Sequence, residues 1–146
     1  MGVKLGLDAK LYRNTGSYSA PAWNEVKNVK DLTLNLEAGE ADVSTRGNGG
    51  WRANIATLKD ASLEFEMVWD TADDDFTAIR TAFLTNAPIE FAVLDGASNA
   101  SGAQGLRASM AITNFSRSEP LEEAIKVSVT AKPTYSANAP EWMTVP

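Results

Sequence analysis

Residues 63–84 read LEFEMVWDTADDDFTAIRTAFL, and a change of period inside this stretch decides the fold. Leu63, Phe65, Met67 and Trp69 alternate with Ser62, Glu64, Glu66 and Val68. That period of two belongs to a strand with one buried face. From Asp73 to Thr85 the bulky apolar residues Phe76, Ile79, Phe83 and Leu84 fall three, four and one positions apart, which places them on one face of a helix. Asp73, Asp74 and Asp75 stand at its start, where carboxylates cap free N–H groups and meet the positive end of the helix dipole. Asn86, Ala87 and Pro88 end it.

Outward from this stretch the alternation continues in both directions. Downstream, Ile89, Phe91 and Val93 oppose Glu90, Ala92 and Leu94. Residues 106–115 are a less regular strand, and Ile125, Val127, Val129 and Ala131 oppose Lys126, Ser128, Thr130 and Lys132. Upstream, residues 3–13 put Val3, Leu5, Leu7, Ala9 and Leu11 on one parity, residues 26–36 put Leu32, Leu34 and Leu36 on one parity, and residues 51–58 form a weaker strand. About seven strands and one helix result. The expected fold is mainly β: an antiparallel β-sandwich or partly closed barrel with one flanking α-helix, spanning residues 1–146 as a single domain. One helix covers one face of such a sheet, and the other face needs a different covering, such as another subunit.

Composition limits the chemistry. The chain has no His and no Cys, so Ser-His-Asp and Cys-His arrangements, histidine metal triads and ordinary zinc sites are excluded. The run Asp70, Asp73, Asp74, Asp75 lacks the glycine and terminal glutamate of an EF-hand, and carboxylates at a helix start ordinarily act as caps. Glu122 and Glu123 follow Pro120 as a solvated turn. Gly47, Gly49 and Gly50 are not followed by Lys-Ser or Lys-Thr, so no phosphate loop is present. No catalytic residue, metal site or cofactor is expected, and no enzyme activity. Thirteen basic against 19 acidic residues give a net charge of −6, which opposes tight binding to nucleic-acid phosphates. No apolar run approaches the roughly 20 residues of a membrane span, and the N-terminus lacks a signal-peptide core, so a soluble intracellular product is expected.

Two polar, glycine-rich stretches, 37–50 and 95–105, are longer than the usual connection of about four to six residues. The first admits three readings: a ligand loop, a plain excursion, or an arm that reaches a neighbour. The four tryptophans divide similarly. Trp69 lies on the apolar parity of a strand, whereas Trp23, Trp51 and Trp142 lie at element ends or in a tail, where aromatics anchor interfaces or stack on sugars.

Four segments carry a family resemblance: GLDAKLYRN (6–14), VKDLTLNLEAGEADVSTRGNGGWR (29–52), LKDASLEFEMVWD (58–70) and NFSRSEPLEEAIKVSVTAKPTYS (114–136). Together they resemble the major tail tube proteins of long-tailed phages with flexible, non-contractile tails, nearly end to end. The resemblance implies a virion structural subunit of a phage or prophage, made in the bacterial host cytoplasm, that forms stacked hexameric rings. DNA would pass through their lumen without specific binding, and other partners would be tape-measure and terminator proteins. Related folds build contractile-tail and type VI secretion tubes. It implies a stacking loop carrying Gly39, Glu40, Asp42, Val43, Arg46, Trp51 and Arg52, and further contacts from an extended tail, 135–146, through Tyr135 and Trp142. The competing reading is a carbohydrate-binding or adhesin-like β-sandwich module of a virion.

Overall fold

The computed structural model describes residues 3–146. Eight strands form one antiparallel sheet: β1 (Lys10–Asn14), β2 (Trp23–Glu25), β3 (Val29–Asp42), β4 (Asn54–Val68), β5 (Ile89–Leu94), β6 (Gln104–Ser118), β7 (Lys126–Pro133) and β8 (Glu141–Thr144). Their order is β2-β1-β5-β6-β7-β4-β3, with β8 paired to β6. The sheet is open, its two ends separated by a cleft of about 640 Å³ between Lys10, Leu11 and Glu25 on one side and Val29–Leu32 on the other. Helix α1 (Asp74–Thr85) packs on the inner face. This is the mainly β, helix-flanked architecture expected, in its partly closed form.

The alternating residues fall inward as their period requires. Leu63, Phe65 and Met67 of β4 and Val127, Val129 and Ala131 of β7 are buried, and they meet Phe76 and Ile79 of α1, all in one core cluster. Phe76 makes edge contact with Trp69 at 4.9 Å and a tilted contact with Phe115 at 6.0 Å. A second, smaller cluster, of Tyr12, Ala92, Leu94, Ala103 and Val145, is formed by β1, β5 and the chain end. Strand β6 borders both clusters. Its first half pairs β5 on one edge and β8 on the other, and its second half pairs β7 end to end with β8. Gly105 anchors that start, because a Cβ there would lie 1.5 Å from the Val93 carbonyl oxygen.

Four differences from the sequence expectation have physical reasons. Residues 3–9 are not a strand: Gly6–Asp8 form a 3-10 turn, and Val3, Leu5 and Leu7 are exposed, because no strand within the chain lies beside them. The strands expected at 51–58 and 62–69 are one continuous β4 from Asn54, since no Gly or Pro separates them. The expected loop 37–50 is strand up to Asp42, so the true connection is 43–53. The tail 135–146 is not wholly extended outward: its last part becomes β8, and Val145 donates to Ala103 O at 2.8 Å. Among the described residues no helix is long and apolar enough to cross a membrane.

Candidate assembly interface

Strands β3 and β4 outlast the sheet that they border. β4 pairs β7 only from Leu63 to Val68. Beyond that point β3 and β4 pair only each other, from Leu36↔Ala61 and Glu37↔Asp60 to Ala41↔Ile55 and Asp42↔Asn54. The result is a two-stranded arm reaching about 20 Å from the body, at roughly 3.4 Å per residue. A bulge between Ala38 and Glu40 interrupts its register, and Gly39 lies there, where a Cβ would come within 2.5 Å of Thr57 Oγ1.

The tip, 43–53, is ordered by its own hydrogen bonds. Val43 N donates to Ala53 O at 2.9 Å, Ser44 N donates to Asp42 Oδ1 at 2.8 Å, and Ala53 N donates to Ser44 Oγ at 2.8 Å. Asn48 Nδ2 donates to Trp51 O at 2.9 Å across a short 3-10 turn, Arg46–Asn48. Gly49 and Gly50 then reverse the chain with φ of 64° and 83°, a region that side chains disfavour. The Ser44 hydroxyl and N–H beside Asp42 hold its carboxyl below the usual carboxylate range. Asp42 therefore acts first as a local clamp on the turn.

The arm leaves apolar surface in water. Trp51 is 79% exposed and Leu58 87%, and Leu36, Val43 and Ile55 are exposed with them. Gly39, Glu40, Arg46 and Arg52 are exposed as well, so the seven residues expected of a stacking loop do lie together on this arm. An isolated two-stranded ribbon in water is marginal in stability, and a cluster of exposed apolar side chains marks a contact surface. Tyr135 and Trp142 lie elsewhere. Tyr135 is fully exposed after β7, and Trp142 on β8 donates its indole N–H to Gln104 Oε1 at 3.0 Å.

Two buried charge clusters hold the body in place, and the sequence did not single them out. Asp75 accepts from Arg13 Nε at 2.8 Å and from Asn24 Nδ2 at 2.9 and 3.0 Å, which fastens the start of α1 to β1 and β2. Arg107 donates to Glu90 at 3.1 and 3.3 Å and to Tyr18 O at 2.6 Å, lies 3.7 Å from Glu141, and stacks over Tyr18 at 3.8 Å. Nearby, the Glu141 carboxylate raises the Tyr18 phenol above its usual value. Each cluster joins a cation to a carboxylate, a structural arrangement. Asp73 caps α1 as expected, with Asp75 N donating to it at 3.4 Å. Trp23 is half-buried beside Arg107, on a different element from Trp51 and Trp142. Among the described residues no group of acidic, His or Cys side chains could hold a metal ion.

The fold has counterparts among solved structures. The tail of an empty GTA particle, refined with C6 symmetry, matches with a TM-score of 0.75 at 17% identity, over 97% of this chain and 100% of that one. The SPP1 tail tube matches with a TM-score of 0.70 at 16% identity, over 89% of this chain and 75% of that one. A chain of the anti-feeding prophage baseplate matches at 0.56 and 9% identity, over 94% and 91%. No curated protein sequence matches. The family model described as "Phage tail tube protein" matches residues 10–134. With that match over most of its length and tube proteins as its structural neighbours, the chain belongs to the phage tail tube protein family and is a structural, non-enzymatic protein.

Proposed function

We propose that this subunit assembles into six-membered rings that stack, through the β3–β4 arm, into the conduit of a phage tail. The observation that carries this reading is the arm itself: strands of 14 and 15 residues run past their neighbours and present Leu36, Val43, Trp51, Ile55 and Leu58 to water. Ring closure calls for one patch to meet a different patch on the next copy. The outer edge of β3 supports this, because among the described residues β3 pairs only with β4 and its remaining backbone groups lie open to another chain.

The bore follows from the uncovered face of the sheet, opposite α1. Thr33, Glu64, Thr130 and Asn114 lie in one row across β3, β4, β7 and β6, and Glu66, Ser128 and Ser116 lie in the next. Small hydroxyls and amides carry no charge to hold phosphate; of the lysines on this face of β7, Lys126 is occupied by Glu123 at 2.9 Å and Glu66 at 3.7 Å, and Lys132 is exposed opposite Ala111. Lined by this face, the conduit would let DNA slide, repelled by the remaining carboxylates. Such a subunit resides in the virion tail after synthesis in the host cytoplasm, with tape-measure and terminator proteins as partners at the core and end of the tube.

Light scattering and negative-stain microscopy of the purified chain test this reading. Concentration-dependent rings or tubes are expected. Replacing residues 39–58 by Asn-Gly joins Ala38 to Lys59 by a two-residue turn that suits a hairpin. That variant should stay folded by circular dichroism and fail to form tubes. A shortened variant that still stacks would overturn the role of the arm.

A further inference from the structure

We propose that Asn48 with Gly49 is a site of spontaneous covalent modification, where the free subunit loses ammonia and gains a carboxylate without any enzyme. Of the chain's asparagines, Asn48 alone is followed by glycine. The reaction begins when the Gly49 backbone nitrogen gives up its proton to water and bonds to Cγ of Asn48. The bond from Cγ to Nδ2 then breaks, Nδ2 takes a proton from water and leaves as ammonia, and a five-membered succinimide joins the two residues. Water opens that ring at Cγ to give aspartate, or at the backbone carbonyl to leave the chain running through the side chain as isoaspartate. Nothing is oxidised or reduced; water is consumed and ammonia released.

The turn leaves the reacting groups free. Asn48, Gly49 and Gly50 are all exposed. Attack requires the backbone at Asn48 to rotate out of its 3-10 turn. The bonds that resist are Asn48 N to Thr45 O at 3.1 Å, Trp51 N to Asn48 O at 3.2 Å and Asn48 Nδ2 to Trp51 O at 2.9 Å. Solvent-exposed bonds at a loop tip open at little cost. Among the described residues the Gly49 N–H has no acceptor, so the nucleophile has no bond of its own to break. Glycine brings no side chain to crowd the approach, and a Cβ built at Gly49 would meet nothing within 4 Å. The other asparagines all precede residues with side chains, and several are tied down. Asn14 Nδ2 is shared between Ser17 O and Glu90, Asn24 Nδ2 is held by Asp75, and Asn35 and Asn114 lie within strands.

The product alters the tip in two ways. A carboxylate cannot donate to Trp51 O, so the side-chain bond across the turn is lost. A negative charge also enters a segment, 43–53, that otherwise holds Arg46 and Arg52 and no acidic residue. The consequence, which rests on the assembly reading above, is that dispersed subunits lose their ability to stack as they age.

Peptide mapping by mass spectrometry tests the site, on the full chain kept dispersed near neutral pH in water labelled with heavy oxygen. Residue 48 should convert at least about tenfold faster than any other asparagine, with solvent oxygen in the product and isoaspartate detectable by enzymatic methylation. Asn48→Gln keeps the amide, but its longer side chain closes the ring poorly, so conversion at this position should stop. Asn99 is exposed and precedes alanine, which makes it the internal comparison. Conversion at residue 48 no faster than at Asn99 would overturn the site. Tubes sedimented from a partly aged sample should be depleted of converted chains at least about fivefold relative to the supernatant, because the charge and shape of the tip have changed. If converted and unconverted chains enter tubes equally, the consequence for stacking is overturned. If fresh chain forms no tubes, the assembly reading fails and takes that consequence with it, while the mapping decides the site by itself.

Discussion

Removing the side chain of Arg107 should weaken the body. It is 8% exposed, and four separate parts of the chain converge on it: Tyr18, Glu90, Trp23 and Glu141. Replacing it with Ala leaves Glu90 a largely buried carboxylate without its cation, held only by the Asn14 amide, and breaking such a pair typically costs about 3 kcal/mol. Urea unfolding of Arg107→Ala should show that loss as a lower midpoint with an unchanged slope, and a variant as stable as wild type would mean that the cluster is held by packing alone. The sequence hid this residue for a physical reason. A single Arg beside Leu106 in an alternating strand looks like the solvent-facing parity, and only the return of β8 and the 15–22 connection over that face buries it. Asp75 was hidden similarly, among three acids that look alike as helix caps, of which only Asp73 is placed as the cap.

At the scale of elements, periodicity was legible wherever a strand has one wet and one dry face. β4 from Leu63 and β7 follow their alternation, and α1 follows its change of period in Phe76 and Ile79 though Leu84 is exposed, whereas β5 is dry on both faces, with Phe91 in one cluster and Ala92 and Leu94 in the other. It was not legible where both faces are wet: residues 37–42 and 54–60 are almost wholly exposed, so nothing in their hydrophobic pattern distinguishes a ribbon from a loop. Residues 3–9 show the converse, an alternation with no strand to receive it. The stretch 37–50 therefore stayed open between a ligand loop, a plain excursion and an arm, and its extended, strand-paired form was missed. Its tip should respond to acid. The Asp42 carboxyl is held below its usual value, so the ionised clamp on Ser44 is fully formed above the ordinary carboxylate range and is lost as pH falls through the lowered value. The Ser44 amide resonance should titrate with a midpoint below that of an unconstrained Asp, and Asp42→Asn should abolish the titration. A midpoint at the ordinary value would mean that the turn does not rely on this clamp.

On the scale of the whole molecule, the dry core accounts for the body, and the uncovered arm accounts for what the body lacks alone. A dye that fluoresces on exposed apolar surface should bind the dispersed subunit and be displaced as tubes form, with the signal falling in step with light scattering. Dye binding that is unchanged by assembly would place the contacts away from Trp51 and Leu58. The arm also leaves the body at one end of the sheet only, carrying its tip away from the rest of the sheet. In the proposed tube a stack joined by such arms would be vectorial: every subunit would face the same way, and the two termini would differ, one presenting bare arms and the other the bare surface that receives them. A cap that recognises one terminus has no purchase on the other, so the start and the stop of the tail call for two chemically different proteins.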